Sequence, residues 1–242
     1  MIISHRHRYV FIELPLTAST AIANELVENY DGQQILDKHS MYHDFLREMG
    51  EEGRSYFVFA GVRNPMDQVV SEFLKVRSDH NQNYSNPRRK GEGRLRAALH
   101  SLSNRRKFRL LARDASFEDF FLALYMLPYC DWSVVAHKSF NHVVRFERLQ
   151  EDFAQVLQIL GLEQVRPLPR RNPTRDKAGF ESLYISPVAR RRARFVFGPF
   201  MSYWNYEFPA EWGPTSPPGM VSRVLYHLAN VPRRIYWRWL RR

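Results

Sequence analysis

The chain has 242 residues, 44% of them apolar and 25% charged, with a formal net charge of +11 and an isoelectric point near 10.0. That size and composition support a full hydrophobic core and exclude wholesale disorder, and no run reaches the ~18–20 apolar residues of a membrane-crossing helix. The single cysteine, Cys130, excludes an internal disulfide and any multi-cysteine zinc site. It reads as a small buried core thiol. His5, Arg6, His7 and Arg8 interrupt any secretory apolar stretch near the N-terminus, so the reading is a soluble, cytoplasmic protein. The positive charge predicts an anionic partner without naming it: nucleic acid, anionic lipid, a sulfated or phosphorylated substrate and a nucleotide all qualify.

In chain order, residues 8–14 are nearly all apolar, as in a central parallel strand covered on both faces, with Tyr9-Val10-Phe11-Ile12 as its body. The loop Glu13-Leu14-Pro15-Leu16-Thr17-Ala18-Ser19-Thr20 follows. From Ala21 to Tyr30 the apolar residues Ile22, Ala23, Leu26 and Val27 recur at helical spacing and stop at Asp31-Gly32. A short strand is expected around Ile35-Leu36, then Lys38-His39, then a helix from about Met41 to Met49. Strand Tyr56–Val62 and helix Pro65–Val76 repeat the strand–turn–helix unit, with Pro65 suited to a first helical turn. Residues 79–113 are polar, contain Asn86-Pro87 and Gly91-Glu92-Gly93, and read as a basic insert, partly helical from Leu95 to Leu111. A helix over 116–126, a strand Val143–Phe146 and a helix Leu149–Leu160 come next. A Pro- and Arg-rich loop spans 163–181, a basic helix Pro187–Phe197, and Trp204-Asn205-Tyr206-Glu207-Phe208 closes the main domain. The fold class is therefore α/β, with a domain over 1–213 and a linker plus basic C-terminal helix over 214–242.

Two loops carry the chemistry. The segment at 13–20 and the segment Val62-Arg63-Asn64-Pro65 with Ser71 each sit at the carboxyl end of a strand and the start of a helix. That edge is where open α/β sheets bind ligands, and a helix N-terminus favours a phosphate. Thr17, Ser19 and Thr20 offer three hydroxyls, and small Ala18 lets backbone approach a ligand closely. The alternative is that Ser19 or Thr20 merely caps the helix. A Walker A loop is absent, with neither its glycines nor its lysine. At the second loop, Arg63 ends a buried strand and offers a bidentate fork to a phosphate, to which Ser71 adds a hydroxyl. A structural ion pair between Arg63 and Asp67 is the alternative. Two such sites suit the two ends of a doubly phosphorylated nucleotide.

Pro15-Leu16-Thr17-Ala18-Ser19-Thr20, Phe59-Ala60-Gly61-Val62-Arg63-Asn64-Pro65-Met66-Asp67 with Ser71, and Val144-Arg145-Phe146-Glu147-Arg148-Leu149 together resemble the sulfotransferase family, in particular its carbohydrate branch and related bacterial proteins. The resemblance runs from about Arg8 to Phe208. It implies a P-loop-like three-layer fold, a central mainly parallel sheet flanked by helices. It also implies 3′-phosphoadenosine 5′-phosphosulfate (PAPS) as sulfuryl donor, with no metal. The family's first motif binds the 5′-phosphosulfate, which implies cofactor contacts from Leu16, Thr17, Ala18, Ser19 and Thr20. Its second binds the 3′-phosphate, which implies Arg63 and Ser71. The family usually has lysine where this chain has Leu16, and that lysine supports the bridging oxygen as charge develops on it. Lys38 is the candidate substitute; a nucleotide-binding protein with little transfer activity is the other reading.

A hydroxyl acceptor must lose its proton as the new S–O bond forms, so a general base is expected. By the same resemblance that base is His39, whose imidazole chemistry suits proton abstraction near neutrality; a capping or surface histidine is the alternative. His43, four residues on, is the second candidate or an orienting partner, and a two-histidine metal site lacks a third ligand. The acceptor is expected to be a carbohydrate or related polar metabolite. Arg88, Arg89, Arg94, Arg96, Arg105, Arg106 and Arg109 either line an anionic acceptor groove or form a solvated face. Asn172, Arg175 and Lys177 lie in a loop that approaches cofactor or acceptor in similar proteins. No helix-turn-helix, zinc-finger or RNA-recognition signature supports specific nucleic-acid binding. Within 220–242, Val221, Val224, Leu225, Leu228, Ile235, Tyr236, Trp239 and Leu240 recur near helical spacing among Arg223, Arg233, Arg234, Arg238, Arg241 and Arg242. That segment either touches an anionic membrane peripherally or docks its apolar side on the domain. Pro232 is expected to kink or divide it.

Overall fold

The computed structural model describes residues 1–82, 84–85, 94–111, 114–131, 133–134, 137–169, 179–214 and 216–236, with the backbone alone for 81 and 94–101. The strands are β1 Ile2–Ser4, β2 Tyr9–Ile12, β3 Gln33–Gln34, β4 Phe57–Val62 and β5 His142–Arg145. The helices are α1 Ser19–Asn29, α2 Tyr42–Met49, α3 Pro65–Arg77, α4 Arg94–Leu111, α5 Phe117–Leu124, α6 Leu149–Ile159, α7 Pro187–Trp204 and α8 Met220–Ile235. Two compact units emerge: Met1–Asn64 with Asp131–Pro173, and Pro65–Cys130 with Thr174–Arg242.

The first unit holds the sheet, in the order β3-β1-β2-β4-β5. Strands β2, β4 and β5 run parallel, with Phe11 beside Phe59 and Ala60 beside Val143. Because side chains alternate across a strand, Tyr9, Phe11 and Phe59 face one side and meet Ile22, Ala23 and Leu26 of α1 and Phe153, Val156 and Leu157 of α6. Val10, Ile12, Val58 and Ala60 face the other side, against Phe45 of α2. This is the three-layer α/β arrangement expected, with all of β2 buried.

The antiparallel edge was not expected. β1 pairs with β2 through a turn over His5–Arg8, and β3 adds to its far side. Its residues are Gln33-Gln34, both exposed, rather than Ile35-Leu36. A two-residue edge strand is specified by the backbone it pairs with rather than by its own apolar content, and polar side chains suit an open edge. β5 begins one residue earlier than expected, at His142.

The second unit is helical in its described residues. Met66, Val69, Val70 and Phe73 of α3, Phe117, Phe120 and Phe121 of α5, and Ala193, Val196, Phe197 and Met201 of α7 share one core with Tyr184 and Phe208. Helix α4 joins through Lys107, whose ammonium pairs with Glu72 on α3, while Tyr125 donates to the other oxygen of that carboxylate. Burial opposes the charge of Glu72, but Lys107 and the hydrogen bonds outweigh it and hold the carboxyl below its usual range. Arg105, Arg106 and Arg109 are exposed on α4. Arg88 and Arg89, the side chains of Arg94 and Arg96, and Asn172, Arg175 and Lys177 lie outside the described residues. Cys130 is half-buried rather than in the core.

Helix α7 corrects the expected end at Phe197, since it continues through Pro199 to Trp204. A proline has no N–H to give to the carbonyl four residues back, here that of Phe195. Ser222 of α8 supplies the missing donor, its Oγ lying 2.6 Å from Phe195 O. Helix α8 likewise runs through Pro232 undivided. Among the described residues no helix is long and apolar enough to cross a membrane.

Candidate functional site

Between β2 and α1 the chain turns over Pro15–Ala18. Leu16 and Ala18 both adopt left-handed backbone conformations, at φ 64° and 59°. That conformation costs a side-chain-bearing residue about 1 kcal/mol or more, and it concentrates at functional sites. Buried Thr17 sits between them and donates from Oγ1 to Leu14 O at 2.9 Å. The loop lies flat on β4 because position 61 is glycine: a Cβ there would stand 2.8 Å from Thr17 Oγ1 and 3.0 Å from Thr17 O. Ala18 is the N-cap of α1 and no side chain caps the helix. The capping alternative for Ser19 and Thr20 is therefore not adopted, and the first-turn N–H groups are left for a ligand or water.

Three side chains from two other segments reach this loop. Arg63, at the end of β4 and 5% exposed, donates from Nη1 to Leu16 O at 3.0 Å. Lys38 Nζ lies 2.8 Å from Thr20 Oγ1. His39 Nδ1 lies 2.6 Å from Glu13 O. A carbonyl oxygen only accepts, so Nδ1 carries a proton. His39 is itself left-handed, at φ 69°, so three of the nine described non-glycine residues with positive φ belong to this cluster. The carboxylate of Glu13, buried beneath, pairs with the Met1 ammonium at 2.6 Å.

The third motif buttresses the second. Arg63 Cζ stands 3.9 Å from the centroid of the Phe146 ring, an arrangement in which the ring face attracts the guanidinium. Glu147 Oε1 accepts from Asn64 N–H at 2.7 Å. Gly61, Phe146 and Glu147 thus have positioning roles, inside motifs where only Leu16–Thr20, Arg63 and Ser71 were expected to act. The signal for Gly61 was its glycine in an otherwise apolar strand, which marks close backbone approach.

The structure brings Leu16, Thr17, Ala18, Ser19, Thr20, Lys38, His39 and Arg63 together in the first unit. Ser71 belongs to the second unit, fully buried on α3. His43 lies on α2 with Nε2 3.3 Å from Asp44 Oδ1. No group of three or more His, Cys, Asp or Glu side chains with metal-binding geometry occurs among the described residues. A cavity of about 670 Å³ opens in the second unit among Phe195, Gly198, Asn205, Pro217 and Met220. It contains none of these site residues.

No curated protein and no solved structure matches the chain. A family model described as the sulfotransferase family does match, over residues 1–198. That span includes the loop at 13–20, the Arg63 segment and the Phe146-Glu147 buttress, and the chain belongs to the sulfotransferase family.

Proposed function

We propose that this protein transfers a sulfuryl group from PAPS to a hydroxyl acceptor, a carbohydrate or a related polar metabolite. One observation carries the reading: Arg63, Lys38 and His39 all hydrogen-bond the same eight-residue loop, which opens onto an uncapped helix N-terminus. An anion seated there meets first-turn N–H groups, hydroxyls and two cations. The first-turn N–H groups with Thr17, Ser19 and Thr20 hold the 5′-phosphosulfate, and Arg63 with Ser71 holds the 3′-phosphate.

In the transfer the acceptor oxygen forms a bond to sulfur as the bond from sulfur to the bridging oxygen of the donor breaks. The acceptor proton passes to His39 Nε2, since Nδ1 is already committed to Glu13 O. The leaving oxygen remains on the 5′-phosphate of 3′,5′-bisphosphoadenosine, and its growing negative charge needs a cation. Leu16 offers none, while the Lys38 ammonium rests on the first turn of α1 and substitutes for it. The products are a sulfate ester and the bisphosphate nucleotide.

Incubation with PAPS labelled in its sulfuryl group, over a panel of glycans, lipids and small alcohols, tests this by mass spectrometry of the acceptors. Leu16 motivates a second reading, a nucleotide-binding protein without transfer, and Lys38→Ala separates the two. An enzyme using Lys38 loses turnover by roughly a hundredfold while nucleotide affinity changes little. If no acceptor in the panel is labelled and Leu16→Lys creates activity where there was none, the binding-only reading holds.

A further inference from the structure

Helix α8 is mounted the wrong way round for a soluble protein. A surface helix normally turns its apolar stripe to the core and its polar face to water. Here the residues pressed deepest against the unit all carry a polar group: Ser222, Tyr226 and Asn230, spaced four apart on one face, are 2%, 4% and 4% exposed, with Leu225 and Ala229 half-buried beside them. Ser222 donates to the Phe195 carbonyl at 2.6 Å. Arg233 bonds Asn230 Oδ1 at 3.1 Å and Pro128 O at 2.8 Å. The opposite face carries Val221, Val224, Leu228, Val231 and Ile235, from 50% to 67% exposed, in the three-and-four spacing that makes one continuous stripe. Met220, at the head of the helix, is 75% exposed.

Charge selects the occupant of this stripe. After Glu211 the sequence contains no acidic residue but six arginines, 223, 233, 234, 238, 241 and 242, together with Trp237 and Trp239. Arg223 and Arg234 flank the stripe, both exposed. Two copies of α8 zipped along the stripe would bring only like charges to the flanks, with no carboxylate to pair them. An anionic lipid surface meets both requirements at once, since the apolar stripe enters the acyl boundary while the arginines meet the headgroup phosphates.

We infer that α8 is a membrane-surface anchor, a helix docked on its own domain through its polar face so that Val221, Val224, Leu228, Val231 and Ile235 insert into an anionic bilayer. The sequence left docking on the domain and membrane contact as alternatives; the two faces of this helix do one each. The inference is independent of the transfer reaction.

The test is co-sedimentation of the full chain with vesicles. Binding is expected to phosphatidylcholine vesicles containing phosphatidylglycerol, and much less to phosphatidylcholine alone. Val224→Asp combined with Leu228→Asp should lower the bound fraction at least about tenfold, because two charges enter the acyl boundary. Its melting temperature and circular dichroism should not move, because both side chains point away from the core. Arg223→Gln with Arg234→Gln should weaken binding to the anionic vesicles and flatten its dependence on salt. The inference is overturned if the double aspartate variant binds as the parent does, or if it melts well below the parent, which would make the stripe part of a packed core. It is also overturned if the parent ignores vesicles and sediments as a dimer that the aspartates split, which would make the face a self-association surface.

Discussion

The two units of this chain solve different problems with different backbones. In the first unit irregular geometry gathers at the candidate site: left-handed Leu16, Ala18 and His39, a glycine at 61 that lets a loop rest on a strand, and a helix that begins uncapped. Its polar side chains are spent on holding that loop. The second unit keeps regular helices around packed rings, with Phe121 stacked on Phe197 at 5.5 Å and Phe117 edge-to-face with Tyr184 at 4.8 Å between centroids. Local strain persists only where surrounding structure over-determines it, and Arg63, Lys38 and His39 supply those constraints for the loop. Binding and catalysis are therefore expected to respond to the first unit, and stability to the aromatic core of the second.

The largest effect should come from Phe121→Ala. This fully buried ring packs against four other aromatic side chains of its core, Phe117, Tyr125, Tyr184 and Phe197. Its loss should cost about 3–5 kcal/mol, seen as a lower melting temperature, while nucleotide affinity in the cold stays near that of the parent. Lost affinity in a still-folded variant would break the division of labour. Next, His39→Ala should lower turnover by roughly a hundredfold, about 2.7 kcal/mol, at nearly constant nucleotide affinity. Retained turnover would move the base elsewhere, with His43 next in line.

Arg63→Ala sharpens the comparison because Arg63 holds the loop and, in the proposed reaction, contacts the 3′-phosphate. Calorimetry should show 3′,5′-bisphosphoadenosine binding weakened by about 2 kcal/mol, and adenosine 5′-phosphosulfate weakened much less. Equal losses would make Arg63 a strut for Leu16 alone. The smallest effect is expected for Glu72→Gln, which should destabilise the protein by about 1–2 kcal/mol at neutral pH. The Glu72 carboxyl is held below its ordinary range in the folded state. Its contribution is therefore full above the unfolded value, about 4.3, and disappears as pH falls through the folded one. Parent and variant should accordingly converge in stability as pH falls below the unfolded value and through the folded one, as followed by thermal melts.

The parallel half of the sheet was legible because β2 and β4 are continuous apolar runs followed by helical spacing. The loops were legible by their position after those strands. What sequence could not give was mutual placement. That Lys38 would rest on Thr20, and His39 on the Glu13 carbonyl, depends on a turn whose left-handed residues are leucine, alanine and histidine rather than glycine. Side chains of that kind carry no sign of positive φ. The buttress from Phe146 and Glu147 spans some 83 residues of chain, as the bond from Asn64 to Glu147 records, and no local pattern announces it. The end of α7 was misplaced because Pro199 reads as a terminator wherever its orphaned carbonyl has no outside donor.

That orphaned carbonyl works as a key seat for a rotating shaft. An α-helix turns about 100° for each residue it slides along its axis. If α8 docked one residue out of step, Ser222 would leave Phe195 O and the stripe from Val221 to Ile235 would swing toward the side of the unit. The hydrogen bond fixes this angular setting from a distance, through a proline in a different helix. A Pro199→Ala change would restore the internal donor of α7 and release the seat. Its signature would be a change in which face of α8 is protected from solvent, with the length of α7 unaltered. One imino acid in the wall thus sets the clock position of the rod leaning on it.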